Sequence, residues 1–196
     1  MATDTRERIL NKALEMFSTY GYKGTNLRDL ASELGLSKSA IYRHFESKDA
    51  IFAALIEWLE EYYSEHFGSE ENMPPVPTSL EELKSLTLKM IDFTIHDERI
   101  RRTRCFFESE QFHDERITRL ASEHFLERQI HIFSALFEEM MFQGLLKENS
   151  ASILALAYTA PITSMVHLCD REPKRETEAM VNITCFIDMF LETYSA

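Results

Sequence analysis

Glycine is scarce in this chain, five in 196 residues, and each stands singly. A backbone cradle for phosphate needs clustered glycines, so a glycine-rich nucleotide loop is excluded. Neither Gly-x-Ser-x-Gly nor His-Glu-x-x-His occurs, which removes two common hydrolase signatures. The three cysteines, Cys105, Cys169 and Cys185, lie far apart with no Cys-x-x-Cys pair. They read as reduced thiols in core or pocket, not as a redox pair. Long apolar runs are missing too: none approaches the roughly 18 residues of a membrane span. The opening MATDTRERIL has no apolar signal region, so no membrane partner and a cytoplasmic location are expected. Strand patterning, internal repeats and low-complexity tracts are likewise absent.

What is present is helical periodicity over a chain that is 44% hydrophobic. Charge is unevenly spread. Residues 1–55 hold eight Lys/Arg against seven Asp/Glu, a balance of +1; the rest hold thirteen against twenty-six, −13, giving the net −12. If the protein meets a polyanion, the cationic contacts must be concentrated near the N-terminus, with the acidic remainder facing away. Plain solubility also accounts for an acidic body.

The informative stretch is 25–48, TNLRDLASELGLSKSAIYRHFESK. Leu27, Leu30, Ala31 and Leu34 recur at the spacing of one helical face. Asn26 suits its N-cap, and Asp29 favours the positive end of the helix dipole. Gly35 supplies the left-handed residue that ends a helix. Ser37 then caps a second helix whose inward contacts are Ala40, Ile41 and Phe45. Outward lie Lys38, Ser39, Tyr42, Arg43 and His44, all able to donate hydrogen bonds and none acidic. That is the mix of a helix entering a major groove while its neighbour crosses the backbone. An ordinary helical hairpin with a solvated face would show the same bare pattern.

From Gly21 to Asp49 the chain reads G-Y-x-x-T-x-x-x-D-L-A-x-x-L-G-L-S-x-x-x-I-Y-x-H-F-x-S-K-D. This resembles the DNA-binding segment of the tetracycline-repressor-like (TetR) family of bacterial regulators, over about the first quarter of the chain. Ser39 stands where the family often has Gly, and Asn26 where a smaller residue is frequent. The resemblance implies an all-α fold: a three-helix helix-turn-helix head and a C-terminal helical domain for ligand binding and dimerisation. It matches Tyr42 and Lys48 to phosphate-contacting positions. Thr25 joins them; Lys38, Ser39, Ala40, Arg43 and His44 lie nearest the bases, and Ser37 is a further DNA-binding candidate. Lys38 and Arg43 alone have the length and charge to read guanine.

Read in order, 4–20 is a helix with Asp4 and Glu7 as a capping-box-like start and Ile9, Leu10, Ala13, Leu14, Phe17 and Tyr20 as its buried stripe. Boundaries fall as 1–48 for the head, 49–66 for a connecting helix capped by Ser47, 67–79 for a proline-bearing loop, and 80–196 for the body. Body helices are read over 80–96, 98–112, 114–143, 151–169 and 172–194, with Pro161 bending the fourth.

No catalytic constellation is found and no enzyme is expected. Glu110 and His113 form one Glu-x-x-His pair, but a di-iron bundle needs two. His124, Glu127 and His131 could hold a metal; hydrogen-bonded pocket liners are the commoner use of such histidines, so no metal and no cofactor is expected. Arg128 reads as buried and must be paired with a carboxylate of protein or ligand, or reach water. By the resemblance, the body holds a cavity for a small-molecule effector. Its candidate liners are Met90, Phe93, His96, Cys105, Phe106, Phe112, His124, Phe125, Arg128, His131, Tyr158 and Met165.

The last two helices are apolar over a wide arc, which suggests a subunit interface. The resemblance implies a four-helix bundle across a two-fold axis, with Ile162, Met165, Val166, Val181, Phe186 and Phe190 as contacts. The expectation is therefore a homodimeric repressor of a pseudo-palindromic double-stranded DNA operator, released when an effector shifts the connecting helix. A helical protein-interaction module whose head no longer binds DNA is the alternative.

Overall fold

The computed structural model describes residues 5–68 and 73–196. Among the described residues ten α-helices form: α1 Thr5–Gly24, α2 Leu27–Glu33, α3 Lys38–Tyr42, α4 Lys48–Phe67, α5 Leu80–His96, α6 Glu98–Glu110, α7 Glu115–Ser122, α8 Arg128–Phe142, α9 Ala151–Arg171 and α10 Glu176–Tyr194. Among the described residues there is no strand; one isolated bridge joins Leu146 and Ser195. The fold is all-α, as read. Asp4, expected to cap α1, lies outside the described residues.

The chain divides into two units: residues up to His66 together with Glu98–Arg119, and Phe67–Asp97 together with Leu120–Ala196. This departs from the division read along the sequence, because α6 and the start of α7 pack with the N-terminal helices.

In the first unit the local signals act as written. Asn26 Oδ1 accepts from the backbone N–H of Arg28 and Asp29, both at 3.0 Å. Ser37 Oγ accepts from Ala40 N at 3.2 Å. Gly35 (φ 66°) closes α2, with Leu36 N donating to Ala31 O at 2.8 Å. Helix α1 is interrupted at Gly21 (φ 73°, ψ 167°), a conformation almost reserved for glycine. A Cβ built there would meet Glu110 Oε1 at 2.6 Å. Gly21→Ala should lower stability by about 1–3 kcal/mol, seen as a lower denaturant midpoint at unchanged slope.

The core of this unit is aromatic. Phe17 lies 5.5 Å from Phe106, 5.4 Å from Tyr22 and 6.5 Å from Phe52, by ring centroids. Phe106, on α6, also meets Phe52 at 6.3 Å and is fully buried. Arg99, on α6, places its guanidinium 3.7 Å from the Trp58 ring and 4.1 Å from the Tyr62 ring, fastening α6 to α4 by cation–π contact.

The second unit packs α5, α8, α9 and α10 around Tyr158. Its ring lies 4.8 Å from Phe190, 5.2 Å from Phe133 and 5.4 Å from Phe137. Its hydroxyl shares a 2.9 Å hydrogen bond with Thr87 Oγ1, so the buried polar atom is satisfied. Burial pushes the Tyr158 phenol up to about 12. Pro161 sits inside α9 without ending it. The stretch read as one helix over 114–143 is two, α7 and α8, joined by a π-helical turn at Glu123–Glu127; such turns are frequent at functional sites.

Candidate functional site

The outer side of α3 and the turn after it presents Lys38, Ser39, Tyr42, Arg43 and His44, all exposed. Lys38 Nζ lies 5.5 Å from the Tyr42 ring centroid, so lysine and ring form one patch. Ser37 Oγ is engaged with Ala40 N and, at 2.9 Å, with Ser39 Oγ. Two further cations, missed along the sequence, flank the patch in the chain: Lys23 and Arg28 are exposed. Lys23, Arg28, Lys38 and Arg43 enter no ion pair among the described residues. Arg102 on α6 and Arg116 on α7 differ. Arg102 meets Glu98 at 2.7 Å and Glu15 at 3.1 Å, and Arg116 meets Asp114 at 2.7 Å and Asp49 at 3.0 Å. Four cations outside these ion pairs therefore fall within residues 23–43.

Three assigned contacts need correction. Thr25 is 2% exposed and its hydroxyl donates to Gly21 O at 3.0 Å, so it stabilises the α1–α2 turn instead of facing outward. Ala40 is 9% exposed and packs inward. Lys48 Nζ donates to Tyr22 O at 2.7 Å and Thr25 O at 2.9 Å, and lies 4.3 Å from the Tyr22 ring. Two of its three donors are thus spent on the turn, and burial lowers its pKa. Asp49, next along α4, accepts from the Tyr22 hydroxyl at 2.7 Å and from Arg116. Those two bonds, Tyr22 first, hold the Asp49 carboxyl below its usual range, while burial and then the Asp49 bond push the Tyr22 phenol up to about 12.

The proposed effector liners do not form one set. Cys105, Phe106 and Phe112 belong to the first unit, where Phe106 is core and Phe112 is 86% exposed. In the second unit His96 and His131 are exposed. His96 bonds Asp92 O at 2.9 Å and Glu176 Oε1 at 3.1 Å. Phe93 packs on Phe67 at 5.4 Å, Met90 and Met165 lie against the core, and Tyr158 is its centre. The structure does bring His124, Phe125 and Arg128 to the π-turn region. His124 is 6% exposed, and the Phe125 ring meets that of His167 edge-on at 5.1 Å. Arg128 pairs with Glu123 at 3.3 Å. Thr163 Oγ1 donates to Gln129 Oε1 at 2.9 Å. Gln129, Thr163 and His167 were not singled out from sequence, although Thr163 and His167 stand one helical turn apart.

The interface assignment also needs correcting. Ile162, Val166 and Phe190 are buried in their own unit, and Met165 and Phe186 are half-buried against the same core. Val181 alone of the six is largely outward, at 56%. The outward apolar residues of α9 are Ile153, Leu156, Ala157, Ala160 and Pro161; those of α10 include Val181, Cys185 and Met189. Ile153 is 60% and Met189 57% exposed. α9 packs on α10, so both stripes belong to one helical hairpin. That two-sidedness explains why α9 is apolar enough to pass for a membrane span.

Residues 9–55 match the family model for bacterial regulatory proteins of the tetR family. The HTH-type transcriptional regulator AcrR of Shigella flexneri is 32% identical over 101 residues, 51% of this chain and 46% of that protein. The chain's matches span less than half the length of the first curated relatives, 46%, 19% and 36%. The SmeT–triclosan complex, SmeT being the repressor of the Stenotrophomonas maltophilia multidrug efflux pump SmeDEF, superposes with a TM-score of 0.75 at 21% identity, covering 98% of this chain and 92% of that one. A regulator from Saccharomonospora viridis in complex with choline gives 0.71 at 19% identity over 97% of each chain. Residues 9–55, with their capped helix-turn-helix, are thus similar to the DNA-binding segment of tetR-family regulators, and the chain shares its fold along nearly the whole length with solved regulators.

Proposed function

We propose that the protein is a sequence-specific DNA-binding transcriptional regulator, a repressor, acting as a homodimer on a pseudo-palindromic operator. The observation that carries this is the exposed, unpaired cationic patch on and around α3. Arg43 and Lys38 face the base edges, Tyr42 and Arg28 the phosphates, and the third Lys48 donor is left for a phosphate. In a dimer the two α3 helices would enter successive major grooves, about 34–36 Å apart. The outward apolar stripes of α9 and α10 supply the self-complementary surface for pairing.

A small molecule held by the second unit, near His124, Phe125 and His167, would release the DNA. Triclosan-bound SmeT and the choline-bound relative support a body that takes organic ligands. The effector acts only through its difference in affinity between DNA-fitting and non-fitting states, usually ~1–3 kcal/mol.

The test is selection of a site from genomic duplexes and then titration against salt. Log affinity should fall linearly with log salt, with a slope of about −0.9 per phosphate neutralised. Arg43→Ala or Lys38→Ala should cost about 1–3 kcal/mol on the selected site and much less on random duplex. Failure to bind any duplex, or affinity indifferent to salt, overturns the reading.

A further inference from the structure

Asp49 is a carboxylate in the first turn of α4, beside Lys48, with a side chain 72% exposed. On a surface that meets phosphate, it would oppose binding. Two groups engage it. The Tyr22 hydroxyl donates to Oδ1 at 2.7 Å, and Arg116 Nη1 donates to the same oxygen at 3.0 Å. Arg116 is itself held by Asp114, through Nη2–Oδ2 at 2.7 Å and Nε–Oδ1 at 3.1 Å. Asp114 Oδ1 also accepts Arg116 N at 2.9 Å, fixing the first turn of α7. The guanidinium carbon lies 4.7 Å from the Phe52 ring centroid and 5.1 Å from that of Tyr22. Tyr22 thus has a cation near it from each of two helices, Lys48 of α4 and Arg116 of α7.

From this geometry we infer that Arg116 is a positioning residue for DNA binding: its guanidinium neutralises Asp49 and orients Tyr22, so that Lys48 and the α1–α2 turn meet phosphate without an opposing charge. The inference rests on the DNA-binding reading above. α7 begins in the first unit, where Arg116 lies, and its last residues belong to the second. The group that tunes phosphate affinity is therefore carried by a helix whose sequence runs on into the π-helical turn.

A purely structural ion pair and a charge-masking one predict different results. Arg116→Met should weaken binding of the selected operator by on the order of tenfold at low salt, the loss shrinking as salt screens the bared carboxylate. Adding Asp49→Asn to Arg116→Met should restore most of that affinity, because the amide keeps an acceptor for Tyr22 and has no charge. Asp49→Asn alone should bind as tightly as the parent or more so, and it keeps the test alive if Arg116→Met does not fold. Parental affinity in Arg116→Met, a double variant no better than Arg116→Met, or weakened binding by Asp49→Asn would each overturn the inference. A parent protein that binds no duplex would instead sink the DNA-binding reading beneath it.

Discussion

Phe106→Ala should destabilise the protein by about 3–5 kcal/mol, the range for emptying a filled aromatic site, and abolish operator binding at 37 °C. Phe106 is fully buried, with ring centroids 5.5 Å from Phe17, 6.3 Å from Phe52 and 5.9 Å from Phe107. The cavity would open beneath α1, on which α2 packs, α2 in turn carrying α3. Phe112 gives the contrast. It is 86% exposed, so Phe112→Ala should stay within about 0.5 kcal/mol of the parent. Denaturant unfolding of the two variants checks both. A Phe106→Ala loss below about 1 kcal/mol would mean that α6 is not part of the first unit's core.

Ile153→Glu combined with Met189→Glu should convert the proposed dimer into a monomer at micromolar concentration, read by sedimentation velocity or light scattering. Burying a large apolar side chain is worth roughly 1.5–3 kcal/mol. A two-fold interface counts each substitution twice, so four side chains give about 6 kcal/mol at the low end, on the order of 10⁴-fold in the dimer constant. Both residues are more than half exposed, so the fold should survive. Phe186→Glu is a poorer test, because Phe186 is half-buried against Tyr158 and Phe190 and a charge there would disturb the monomer first. A double variant that still sediments as a dimer would refute the α9–α10 interface.

What was legible in the sequence was settled within a few residues. The Asn26 and Ser37 caps and the Gly35 stop each involve partners at most five positions away, so spacing alone finds them. The helical fold and the exposed patch on α3 obey the same short-range rules. What depends on distant partners was not legible. Nothing local says that Phe106 will meet Phe17 and Phe52, and so α6 was placed in the body. Periodicity groups residues on one side of a helix without saying which side is inward; hence it offers Ile162, Val166 and Phe190 as contacts, while in the fold Ile153 and Leu156 face out. Lys48 and Thr25 show the reach of side chains: both find carbonyls of the α1–α2 turn, Thr25 through its buried hydroxyl and Lys48 with two of its three donors. The π-turn is a separate failure. One extra residue in a turn rotates the remainder of the helix by about 100° relative to uniform α-helical spacing, so His124 and His131, read as sharing a stripe, end up buried and exposed respectively.

Because the aromatic cluster is shared by α1, α4 and the returning α6, the first unit is written in two separated pieces of chain. A fragment cut at His66 would leave the rings of Phe17 and Phe52 without their cover. Transplanting the first unit onto another protein therefore means grafting both pieces, 5–66 and 98–119, and any chimera joined at a single breakpoint must supply a replacement for Phe106 from its new host.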